Sequence, residues 1–134
     1  MHHMRALYWI PLLALAACAS SKSGTDTSED APPESAPFTV LEASLDGDSL
    51  RTVLQFGGGF REHAFSLEAV GAATKSLPRQ QSIRILHDAD GDMGKALLTE
   101  RQAFDLRPFR DPSQSSLILR LEGWNEGLEY NYTP

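Results

Sequence analysis

The sequence predicts an all-β domain: an antiparallel β-sandwich of about seven strands, immunoglobulin-like in kind, behind an N-terminal signal peptide and a disordered tether. Three observations predict it. Apolar residues recur with period two from Phe38 onward, turn residues break the runs at short intervals, and helical periodicity is weak throughout. A small open barrel is the alternative closure of the same strands.

Phe38–Leu45 reads as the first strand, and Asp46-Gly47 is a dipeptide that favours a tight hairpin. Leu50–Phe56 follows, with Thr52, Leu54 and Phe56 on one face. Gly57-Gly58-Gly59 then interrupts, as a bulge or a bend between sheets does. Arg61–Val70 alternates, placing His63, Phe65 and Leu67 on one side and Glu62, Ser66 and Glu68 on the other. Only Glu62–Ala73 can be argued as a helix, and Phe65, Val70 and the glycines around it argue for a strand. A polar connection from Gly71 to Gln80 leads to Ser82–His87, where Ile83, Ile85 and His87 share a parity. Asp90-Gly91 marks a turn. Leu97–Arg107 is a long strand with Phe104 and Leu106 as core anchors, and the two prolines of Pro108–Ser115 make that segment a loop. Leu117, Leu119 and Leu121 face the core opposite Arg120 and Glu122. Asn125-Glu126-Gly127 turns the chain into Leu128–Tyr132.

The N-terminus has a different composition. Met4-Arg5 is a short basic start, and the apolar run Ala6–Ala17 is shorter than the roughly 20 residues needed to span a bilayer. It suits the apolar region of a signal peptide. Leu15-Ala16-Ala17-Cys18 resembles the bacterial lipobox. That resemblance implies cleavage before Cys18 and a covalent lipid on its thiol. Several acyl chains on one residue suffice for stable anchoring. Ala19 in place of Asp favours the outer membrane of a diderm host, by analogy with lipoprotein sorting. Ala19–Pro37 contains no large apolar side chain and cannot repay its ordering entropy, so it is expected to be a tether. The expected organisation is therefore a signal peptide over 1–17, a lipidated cysteine and tether over 18–37, and the sandwich over 38–134.

A formal net charge of -6, with Lys and Arg scattered among acids, provides no basic face for nucleic acid. Cys18 is the single cysteine, so neither an intramolecular disulfide nor a cysteine zinc site is available to the domain.

Asp88-Ala89-Asp90-Gly91-Asp92 begins like a calcium loop. However, Met93 and Thr99 occupy the places where an EF-hand needs Gly and Glu, and the flanks read as strands. An Asp- and Gly-rich hairpin turn is the favoured reading. Gly57-Gly58-Gly59 lacks the Gly-Lys-Ser/Thr ending of a phosphate loop. His63 and His87 each carry core parity near a strand end. With Asp88 or Asp92 they make a candidate metal site of two histidines and one carboxylate. They read equally as partly buried imidazoles bonded to backbone carbonyls. No nucleophile motif is present.

Gly58-Gly59-Phe60-Arg61-Glu62-His63-Ala64-Phe65, then His87 through Asp92-Met93-Gly94, then Phe104-Asp105-Leu106-Arg107-Pro108 resemble a group of small uncharacterised bacterial lipoproteins. Their pattern has cysteines where this chain has Phe60 and Gly94. The joint departure implies either a disulfide or a pair of metal ligands in those relatives. If it is a disulfide, Phe60 and Gly94 should be neighbours here, bringing His63 and His87 together. The resulting expectation is a membrane-anchored, non-enzymatic accessory module whose partner is an unknown envelope protein or ligand. Its rival is a metal-binding or enzymatic domain using His63, His87 and a neighbouring Asp.

Overall fold

The computed structural model describes residues 34–134; the expected signal peptide, Cys18 and most of the tether lie outside the described residues. Seven strands form two sheets: β1 (Phe38–Asp46), β2 (Ser49–Gly58), β3 (Ala64–Val70), β4 (Arg79–Asp88), β5 (Ala96–Asp105), β6 (Ser116–Leu121) and β7 (Gly127–Asn131). One sheet runs β1-β2-β5 and the other β3-β4-β6-β7, so the fold is an all-β sandwich as the alternation predicts.

The pairing is antiparallel with one exception, β4 against β6. Between those two strands the chain crosses to the other sheet as β5 and returns. It therefore starts β6 from the end where β4 also starts, and a parallel pair results from such a crossover.

Leu50, Leu54 and Phe56 of β2 join Ile83 and Ile85 of β4, Leu117, Leu119 and Leu121 of β6, and Tyr130 of β7 in one buried cluster. Strict alternation puts them there, since every second side chain of a strand faces the same way. In β1 the register shifts between Val40 and Glu42. That bulge turns Leu41 outward while Phe38 and Val40 before it, and Ala43 and Leu45 after it, stay against the core.

Several boundaries differ from those expected, among them the end of β2, which continues through Gly57 and Gly58 in pairing with Leu97 and Ala96. β3 begins at Ala64 instead of Arg61, because the N–H groups of Gly59, Phe60 and Arg61 are already given to the carboxylate of Asp92. β4 begins at Arg79, and the end of the β5 segment tightens into a 3-10 turn over Arg107–Phe109. Contacts also begin before Phe38: Ala36 N–H donates to the His87 carbonyl at 2.8 Å, and His87 N–H donates to Ser35 Oγ at 3.0 Å.

The two ends of the sandwich differ in connection and in chemistry. At one end lie Pro37 entering β1, the bend from β2 to β3, and the loop from β4 to β5; at the other lie the β1–β2 hairpin and the segment from β5 to β6.

Candidate functional site

The Gly57–Gly59 bend carries the chain from one sheet to the other, and the turn after β4 sits beside it. Asp90 and Gly91 both have positive φ, at 48° and 66°, and Asp92 N–H donates to the Ala89 carbonyl at 2.9 Å. Positive φ at both central positions belongs to a tight hairpin-type turn, which explains the Asp-Gly pair. The turn aims the Asp92 side chain inward.

There the carboxylate meets four backbone donors. Its Oδ2 accepts N–H bonds from Gly59, Phe60 and Arg61 at 2.9, 3.0 and 3.0 Å, and its Oδ1 accepts one from Gly94 at 2.7 Å. The Gly94 N–H, with those of Phe60 and Arg61 and the bond from His63, holds this carboxyl well below the usual carboxylate range, although burial pushes the other way. Phe60 and Gly94 are thus joined through one carboxylate, which makes them neighbours without a covalent link.

His63 Nε2 lies 3.0 Å from Asp92 Oδ2, and its Nδ1 lies 2.7 Å from His87 Nε2. His87 Nδ1 in turn lies 3.3 Å from the Ala36 carbonyl oxygen. The result is a continuous polar line from Asp92 through both imidazoles to the entering chain. Aromatic rings enclose it. His87 stacks on Phe65 with centroids 4.5 Å apart and 11° between planes, and Phe56 packs against His63 at 4.6 Å. Phe38 meets His87 edge-on. Burial pushes the His87 imidazole below its ordinary value, and the bond to Ala36 opposes that shift.

The line has a proton inventory. Three contacts involve ring nitrogens, and the outer partners, a carboxylate and a carbonyl, can only accept. Each contact then needs a ring proton, so three are required, while two neutral imidazoles carry two between them.

Close packing at this end demands glycine. A Cβ on Gly58 would lie 2.5 Å from His63 Nε2, and one on Gly94 would overlap the backbone carbonyl of Gly58.

Of the residues predicted for a site, His63, His87 and Asp92 come together and Asp88 does not. Asp88 is exposed, and its Oδ1 accepts the Asp90 N–H at 2.8 Å, stabilising the turn. Two nitrogens bound to one tetrahedral zinc at about 2.0–2.1 Å stand about 3.3 Å apart. The 2.7 Å contact between His63 and His87 is that of a hydrogen bond, so a metal would have to part the rings and displace the shared proton. Among the described residues no group of three or more His, Cys, Asp or Glu side chains has metal-holding geometry. Sequence reasoning missed Ser35 and Ala36, which lie in the segment read as tether, and the glycines' part in the packing. The core-facing parity of Phe56, Phe65 and His87, each on its own strand, was the available signal for the aromatic enclosure.

No family model matches the chain, and no curated protein matches it in sequence. In structure it is similar to a NigD-like immunity protein from Bacteroides caccae, at 16% identity and a TM-score of 0.52, covering 75% of this chain and 56% of that one. The chain thus spans a little over half the length of that structure, and at this identity the likeness is one of fold.

Proposed function

We propose that the protein is a lipid-anchored accessory module of the bacterial envelope that acts by binding and not by catalysis. The observation that carries this reading is the enclosure of the His63–His87–Asp92 line. The side chains of His63 and Asp92 are 1% and 0% exposed, and His87 is 2% exposed. Every ring nitrogen and both carboxylate oxygens are engaged inside the domain. A general acid or base must come within hydrogen-bond reach of its substrate, and this one faces only protein. The line acts as a clamp, holding the β2–β3 bend, the β4–β5 loop and the entering chain together without a disulfide. The sandwich shared with a protein described as an immunity protein supports a binding role. The anchor rests on Leu15-Ala16-Ala17-Cys18.

Expression in a diderm bacterium, followed by mass spectrometry of the mature N-terminus and metal analysis of the detergent-purified protein, tests both halves. The expected results are a chain beginning at acylated Cys18 and metal well below one equivalent. An unmodified Cys18 in an uncleaved chain overturns the anchor. One equivalent of zinc or copper that is lost in His63→Ala overturns the clamp. That outcome would favour the second reading, a metal-binding domain, for which the meeting of His63, His87 and Asp92 is the supporting observation.

A further inference from the structure

Large apolar side chains are unevenly distributed on the surface. Phe60, Met93 and Leu97 are 83%, 86% and 71% exposed. All three belong to the end of the sandwich where the chain enters β1. Phe60 follows the β2–β3 bend, Met93 lies in the β4–β5 loop, and Leu97 pairs with Gly57 at the start of β5. Their backbones are drawn together by the Asp92 carboxylate, which binds the N–H of Phe60 and that of Gly94, the residue after Met93. Single exposed apolar residues are ordinary on a protein surface; a group on one rigid tip calls for an occupant.

The opposite end is built differently. There Asp46 pairs with Arg51, Arg110 with Asp48, Arg107 with Asp105, and Arg79 with Asp111. Ion pairs are concentrated at this end, which also carries the exposed Leu77, whereas the end with Phe60, Met93 and Leu97 has Arg61 paired with Asp90 and the larger group of bare apolar side chains.

The position of the entering chain identifies the occupant. Ser35 and Ala36 are bonded to His87, so the chain preceding them leaves from the apolar end. Sixteen positions (34 minus 18) separate Glu34 from Cys18. If it is the tether its composition suggests, a segment of that length has a root-mean-square reach of about 20–25 Å. That average is less than the roughly 34 Å of a ten-residue strand such as β2, although full extension would give about 55 Å, so on that expectation the domain stays close to its anchor most of the time. Resting on the lipid-anchor reading above, we propose that Phe60, Met93 and Leu97 form a membrane-contacting tip that seats the domain on the lipid surface holding Cys18, with the ion-paired end pointing away. The charged residues around the tip are Arg61 and Lys95 against Glu34, Glu62, Asp88 and Asp90, all exposed. The balance is mildly acidic and offers no basic patch for anionic headgroups, so the contact is apolar and persists at high salt and on zwitterionic lipid.

The test uses the mature lipidated protein in phosphatidylcholine vesicles, with nitroxide labels at Phe60→Cys, Met93→Cys and, as control, Asp46→Cys at the far end. Acylation of Cys18 leaves the introduced thiol as the only reactive one. Flotation with the vesicles is scored first, then collision of each label with oxygen, which concentrates in lipid, and with a water-soluble nickel chelate. The proposal expects flotation, and labels at 60 and 93 that favour oxygen over nickel at least several-fold more than the label at 46, at low and at 1 M salt. Flotation with all three labels equally open to nickel overturns the tip and leaves the anchor standing. Dipolar broadening between labels on neighbouring molecules, with oxygen and nickel both excluded, assigns the tip to a second copy and overturns the lipid contact. Failure to float overturns the anchor and the tip together.

Discussion

His63 Nδ1 lies 2.7 Å from His87 Nε2, with the two rings 24° from parallel and both carried inside an aromatic shell. The contact needs one proton between the rings, and the outer nitrogens need one each, toward Asp92 and toward the Ala36 carbonyl. Nitrogen-detected NMR of the imidazoles should therefore find ring N–H protons slow to exchange with water, one of them coupled to nitrogens of both rings. Ring protons that all exchange freely, with none shared between the rings, would contradict the continuous line.

Asp92→Asn keeps the shape and removes the charge. Whichever way the amide is turned, its NH2 must face at least one N–H donor, because Gly94 approaches one oxygen while Gly59, Phe60 and Arg61 approach the other. The substitution is expected to lower the urea midpoint far more than Asp90→Asn, at an exposed carboxylate. It should also change the acid limb. The folded Asp92 titrates below its unfolded value of about 3.9, so its contribution is present above that pH and is lost as pH falls toward the folded value. The wild type should lose stability below about pH 4 more steeply than the variant. Equal slopes would show that the carboxylate is not held as described.

His87 makes a separate prediction at milder pH. Its folded value is depressed by burial below the ordinary 6.5. As pH falls through about 6.5 the unfolded chain takes up a proton that folded His87 refuses, so stability declines from there down to the folded value. Urea midpoints at pH 7.5 and pH 5 should differ in the wild type, and the difference should shrink in His87→Gln. A wild-type midpoint that rises at pH 5 would reverse the sign and rule out this account.

Strand existence was legible because the core is built from alternation: Leu50, Thr52, Leu54 and Phe56 are all buried, as are Leu117, Leu119 and Leu121. Pairing direction was not. Nothing in the local pattern of β6 records that the chain has crossed through the other sheet before returning beside β4. The site was half legible. Core parity marked His63 and His87, but the choice between Asp88 and Asp92 depended on the positive φ of Asp90 and Gly91, a backbone fact that turns one carboxylate inward and leaves the other in solvent. Ser35 and Ala36 carry no apolar signal; they are held by hydrogen bonds to His87, which composition does not reveal.

The glycines around the clamp separate space from conformation. Neither Gly57 nor Gly94 has positive φ, so backbone strain plays no part at either. A Cβ at Gly57 meets nothing within 4 Å, whereas one at Gly94 would overlap the Gly58 carbonyl and come 2.9 Å from Asp92 Oδ1. The carbonyl belongs to the backbone at the end of β2 and has no rotamer to escape into. Relief requires the β4–β5 loop to move away, lengthening the Gly94 bond to Asp92 and loosening the carboxylate that joins the two loops. Gly94→Ala is therefore expected to destabilise the domain by about 1–3 kcal/mol, the range of overpacking in a tight interior. Gly57→Ala should lie within about 0.5 kcal/mol of the wild type or slightly above it, because alanine restricts the unfolded chain. Urea unfolding of the two variants side by side checks this. Equal stabilities would mean that the loops are not pressed together at Gly58 and Gly94, and the clamp would lose its tightest contact.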